Sequence, residues 1–182
     1  MRIALIALAF LVITGILVAQ ETRTEITKTT TPAEDSKENN PEVPDVYAMS
    51  GQFERIVVFR FKYQADLLAG MEKMVAEQKI RNAVILAGAG SLTGYHFHLV
   101  SNRTFPSKNL LIKNSTAPAD LVGMNGYIID GRIHAHMTLT NAEKAFGGHL
   151  EPGTTVFTFA IVTVGVLKEG IDLSRIDDKT YR

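Results

Sequence analysis

Five histidines are the residues best able to do chemistry in this chain: His96, His98, His134, His136 and His149. Side chains at i and i+2 of a strand point to the same face, so His134 and His136 project together if their segment is extended. His149 follows 13 residues later, directly behind Gly147 and Gly148. Paired glycines permit a sharp bend and a close approach to a neighbouring strand, which would bring His149 back over the first pair. Three imidazoles facing one point form a tripod that suits Zn²⁺ and leaves a fourth coordination position open. On spacing alone, a solvated sheet face with His149 serving a turn stays ahead of the tripod. His96 and His98 share a face opposite Tyr95 and Phe97, and read as a polar strand face. Glu151 is the acid nearest in sequence and the one candidate for a catalytic residue, as a general base beside a metal-bound water. Glu151-Pro152-Gly153 is equally an ordinary turn. The chain contains no Cys, so disulfides, thiolate zinc sites and cysteine nucleophiles are excluded, and any metal must be held by His and carboxylates.

The elements that must position these groups are mostly strands. Phe53 to Phe61 is β-branched and aromatic and predicts a strand. Residues 65–78 place Leu67, Leu68, Met71, Met74 and Val75 at helical spacings, with Glu72, Lys73 and Glu77 on the other side, which predicts an amphipathic helix. Ala83 to Ala87 predicts a short buried strand, followed by a glycine-rich structural turn, Gly88 to Gly94. That turn has neither the spacing of a dinucleotide-binding loop nor the Lys-Ser/Thr of a P-loop. Further strands are expected over 95–100, 110–113, 121–129, 132–139 and 154–167. Asp130-Gly131 is a two-residue hairpin turn, because both positions tolerate positive φ, and it leads straight into the strand carrying His134 and His136. Many strands, tight turns and one clear helix make an α+β domain with a mostly antiparallel sheet.

Three segments together resemble a known family: Leu86-Ala-Gly-Ala-Gly-Ser-Leu92, Gly126-Tyr-Ile-Ile-Asp-Gly-Arg-Ile-His-Ala-His136 and Gly147-Gly-His-Leu150. Their order and spacing are similar to those of the plant and prokaryote conserved (PPC) domain, formerly DUF296, over about Phe53 to Tyr181. The resemblance implies an α+β fold with an antiparallel sheet, assembled as a homotrimer. It also implies a metal ion, best described as zinc, on the histidines of the last two motifs, here His134, His136 and His149. The resemblance therefore turns the balance toward the tripod. Three departures limit what it carries over. Many members have a Glu in the last strand where this chain aligns Ile161. The Arg-Gly-Arg-Pro hook with which plant members enter AT-rich DNA is missing, and Ala119-Asp120-Leu121 replaces their partner-binding segment.

Composition bounds the remaining choices. Lys plus Arg and Asp plus Glu both number 19 in 182 residues, which argues against a dedicated nucleic-acid surface. Arg2 precedes an apolar stretch that runs to Ala19, the pattern of a signal peptide over 1–19 with Gln20 as the new N-terminus. An uncleaved membrane anchor over 3–19 is the alternative, at the short limit for spanning a bilayer. Residues 20–46 are rich in Thr, Glu, Asn and Pro and read as a disordered linker, leaving 47–182 as the folded domain. The expected protein is exported, periplasmic or secreted, and binds zinc as a homotrimer, with any small-molecule ligand unidentified. A zinc-dependent hydrolase or lyase using a His₃-bound water is the alternative. A DNA-binding protein is a further one, opposed by export, neutral charge and the missing hook. The segment 154–167 gives its own reason for assembly. It is apolar on both alternating faces, whereas a strand with one wet face should be polar at every second position.

Overall fold

The computed structural model describes residues 20–26 and 28–177. The signal peptide or anchor read over 1–19 lies outside the described residues. Eight strands form one antiparallel sheet: β1 (Glu21–Ile26), β2 (Phe53–Lys62), β3 (Ala83–Val100), β4 (Lys108–Asn114), β5 (Ala119–Ile129), β6 (Arg132–Thr140), β7 (Ala145–Leu150) and β8 (Thr155–Leu167). A short α1 (Pro32–Asp35) and the longer α2 (Leu67–Glu77) are the α-helices, and a 3-10 turn spans Ser174–Asp177. No helix among the described residues is long and apolar enough to cross a membrane.

The 18-residue strand β3 organises the sheet. Its first part lies between β8 and β5, and its last part between β4 and β7. Because β5 pairs β6, β6 pairs β7, and β7 returns to β3, four strands close a ring. The inside of that ring is filled by Leu92, Tyr95, Phe97, Leu121, Met137 and Leu150, all buried. Beside it, α2 lays Leu67, Met71 and Val75 into the core shared with Phe59 and Phe61 of β2. Each such buried side chain contributes roughly 1.5–3 kcal/mol from removing apolar area from water.

The start of α2 is tied to the loop next to the histidines. Asp66 is its N-cap and accepts from the Ala69 amide at 2.9 Å, satisfying an amide that has no partner within the helix. The other carboxylate oxygen of Asp66 accepts from the Gly153 amide at 2.6 Å, anchoring the turn after Glu151. The fully buried Thr154 hydroxyl accepts from the His96 amide and donates to the His96 carbonyl, both at 3.0 Å, so turn and β3 move as one.

The helix, the Asp130-Gly131 turn and the 53–61 and 154–167 strands form where the sequence predicts them. Asp130 and Gly131 have φ of 49° and 78°, and Ile129 pairs Arg132 across the turn. Three expectations need correction. The glycine-rich segment 88–94 is not a turn but the middle of β3. Glycine there lets strands crowd: a Cβ on Gly90 would stand 2.6 Å from Ala160 Cα, and the register slips near this stretch at three bulges. Gly147 and Gly148, read as permitting a sharp bend, lie instead within the strand β7, although the close approach expected of them is present. Finally, Glu21–Ile26, placed in the disordered linker 20–46, adds an edge strand to β4, with Glu21 opposite Lys113 and Ile26 opposite Lys108. All six of its residues are exposed. Backbone pairing along an otherwise open edge, and not apolar burial, holds this strand.

Candidate metal centre

His134 and His136 leave the outer face of β6, the face opposite the buried Ala135 and Met137. His149 of β7 is paired with His136 across the β6–β7 ladder. Directly opposed residues of an antiparallel pair share a face, so the three rings meet. Gly147 and Gly148 make that ladder possible. Gly147 has φ of 152°, and a Cβ there would lie 2.0 Å from the Met137 carbonyl oxygen. A Cβ on Gly148 would lie 2.3 Å from the His98 carbonyl oxygen on the strand at its other side. The paired glycines thus serve a close approach to two strands at once.

One nitrogen from each of His134, His136 and His149 falls within 4.8 Å of the other two. The Nε2 atoms of His134 and His136 are 3.3 Å apart. Imidazole nitrogens about 2.0–2.1 Å from a tetrahedral zinc lie roughly 3.4 Å from one another, so the β6 pair already has the required edge. The widest separation would need to close by about 1.4 Å, within reach of small ring rotations. The His149 ring stands nearly perpendicular to both others, at 89° to His134 and 88° to His136. The donor set fits a divalent cation of borderline softness.

Electrostatics favour the metal-binding form of His149 and His136. Burial, reinforced by the neighbouring His98, His134 and His136, depresses the pKa of His149 to about 4, against a smaller opposing pull from Glu151. Burial likewise lowers the pKa of His136, with His134 and His98 adding to it. A neutral imidazole has the lone pair that binds metal.

The structure brings one further histidine to this cluster. His98 pairs with His149 across β3 and β7, and its ring stacks on that of His149 at a centroid distance of 4.5 Å and 25°. The second of its contacts is with Glu151, whose Oε1 lies 2.5 Å from His98 Nδ1. The Glu151 carboxylate is thereby committed to His98, the neighbour of His149. His96 goes elsewhere, its Nδ1 bonded to the Pro152 carbonyl at 2.7 Å. Sequence reasoning grouped His96 with His98 because both share the i, i+2 face; the separate partners come from β7 ending between them. Ile161, which replaces the Glu of many relatives, lies on the exposed outer face of β8 and pairs with Arg60 and Ala89.

Comparison with known proteins agrees with the fold. The fold superposes on a plant- and prokaryote-conserved protein from Pyrococcus horikoshii with a TM-score of 0.55 and 23% identity, covering 70% of this chain and 87% of the other. A protein from Archaeoglobus fulgidus described as metal-containing gives 0.53 and 18%, covering 68% and 86%. A bifunctional protein GlmU from Synechococcus is 24% identical over 100 residues, which is 54% of this chain but only 15% of that protein's length. The Plants and Prokaryotes Conserved (PCC) domain itself matches residues 48–168, which takes in β2 to β8, α2 and every histidine described above. By that match, the chain belongs to the Plants and Prokaryotes Conserved domain family.

Proposed function

We propose that this protein is an exported metal-binding domain that holds zinc on His134, His136 and His149 and works as a homotrimer. The observation that carries the metal is the convergence of three imidazole nitrogens within 4.8 Å, in a chain that has no thiol to offer. Three imidazole nitrogen donors suit zinc and leave a position for solvent or a ligand, where the ion would supply Lewis acidity. The likeness to an archaeal protein described as metal-containing supports the same reading. Metal analysis of the purified protein tests it. About one zinc per chain is expected, and His136→Ala should abolish it, since two imidazoles do not replace a three-ligand site. Equal metal content in the two proteins refutes the proposal.

Assembly is supported by the outer face of β2 and β8. Ile56 and Val58 toward one end of the face and Phe157 and Phe159 toward the other are 52%, 59%, 48% and 44% exposed, with Ile161 and Arg60 between them. The opposite face of β8 is fully buried at Val156, Ala160, Val162 and Val164. Exposed apolar side chains on both ends of one sheet face mark an interaction surface, and closed cyclic symmetry is the simplest way to cover it. Light scattering should return the mass of three chains at micromolar concentration; a single-chain mass removes the assembly. The hydrolase or lyase alternative needs a free base near the ion, and Glu151 is bonded to His98. The DNA-binding alternative is opposed by the equal numbers of acidic and basic residues.

A further inference from the structure

A cavity of ≈ 800 Å³ opens on the same outer face as the tripod. Its floor can be followed strand by strand. Leu167 and Gly165 of β8, Val84 of β3 and Tyr127 of β5 share that face, since Gly165 pairs Val84 and Val84 pairs Tyr127. Tyr127 in turn pairs His134. Directly opposed residues stand about 4.5–5.5 Å apart at Cα, so the cavity floor ends one residue from the first metal-binding imidazole. The Phe53 ring covers Gly165, where a Cβ would meet it at 2.5 Å, and forms one side of the cavity.

The walls come from residues 44–53 and 171–176, of which 44–47 and 171–176 lie outside the family match over 48–168. Their side chains are mainly apolar, with Val46, Met49, Ile171 and Leu173 among them. Among the described residues, Asp45 is the single charged one of the lining. A concave, apolar space of this volume has the size and character of a small-molecule site, which is normally oriented by a few polar groups at one end. Here the nearest imidazole, His134, lies one strand beyond the Tyr127 edge and outside the lining itself.

We propose that the cavity binds a small carboxylate with an apolar body, the body lying over Val84 and Tyr127 and the carboxylate facing the open position of the metal. This rests on the metal reading above. Asp45 in the lining disfavours an anion inside the cavity, so the charged group lies beyond the Tyr127 edge, where His134 stands on the next strand.

Calorimetric titration of the zinc-loaded full chain tests this, with metal content read first. The probes are 4-phenylbutanoate, acetate as head alone, and 4-phenyl-1-butanol as body alone. Phenylbutanoate should bind at least tenfold more tightly than either fragment, and at least tenfold more weakly once zinc is removed. Tyr127→Ala and Met49→Glu should each weaken it by tenfold or more with zinc content unchanged; both positions are partly exposed, so the fold tolerates the changes. A chain that keeps its zinc but binds phenylbutanoate no better than acetate overturns this proposal and leaves the metal reading standing. Equal affinity with and without zinc overturns the placement of the carboxylate. A chain that retains no zinc overturns both readings. A cavity that is closed to all three probes and opens only when the protein is dissociated belongs to a second copy, and also overturns the proposal.

Discussion

Gly147→Ala is the most searching test of how the tripod is assembled. The new methyl group would lie 2.0 Å from the Met137 carbonyl oxygen, more than an ångström inside ordinary contact. The obstacle is backbone in the centre of the β6–β7 ladder, so no side-chain rotation relieves it. The native φ of 152° adds a conformational penalty of about 1–3 kcal/mol for a residue with a Cβ. Together the two effects should cost about 3 kcal/mol or more, which for a chain of this size lowers Tm by roughly 6–12 °C. The displacement would be felt two residues on, at His149, so zinc should be lost along with stability. Gly131→Ala is the control. Its φ of 78° carries the conformational cost, yet nothing lies within 4 Å of the added group. That variant should lose only about 1 kcal/mol and keep its zinc. Thermal melts and metal analysis on the two proteins read both quantities. A Gly147→Ala chain with wild-type zinc and a Tm no lower than that of Gly131→Ala would refute the claim that close approach of β7 builds the site.

Two further predictions follow from single residues. The metal-free protein should lose stability in acid through His149: its folded pKa of about 4 lies below the unfolded value near 6.5, so the unfolded chain takes up the proton first. Stability from this group is complete above about pH 6.5 and lost as the pH falls toward 4, and solvent screening of the half-buried ring discounts it to about 1–2 kcal/mol; urea melts of wild type and His149→Asn should converge across that window, and parallel curves would reject it. Asp66→Ala removes the cap of α2 and the acceptor of the Gly153 amide together. It should cost about 1–3 kcal/mol by urea melts, while an unchanged midpoint would show that neither bond contributes.

Much of this protein is decided by short-range chemistry that the sequence displays directly. The Asp130-Gly131 turn follows from two residues tolerant of positive φ, and a two-residue turn sets the register of the strands it joins. That register fixes His134 and His136 on one face, because a strand alternates its side chains whatever it packs against. The apolar spacing of α2 is equally local. The fourth residue of the cluster is not. His98 reaches His149 only because β7 pairs with the far end of β3, some fifty residues earlier, and no periodicity in either segment encodes that pairing. The glycines at 88–94 show the same limit in reverse. Their composition alone suggests a turn, yet they lie inside β3 because two neighbouring strands press on them from outside the segment. The edge strand Glu21–Ile26 is likewise invisible to a hydrophobic pattern, since only backbone hydrogen bonds to β4 define it. Sequence alone determined which residues share a face, through alternation and turn geometry. Tertiary structure decided which faces meet, because cross-strand contact depends on chain closure over long separations that no local preference specifies.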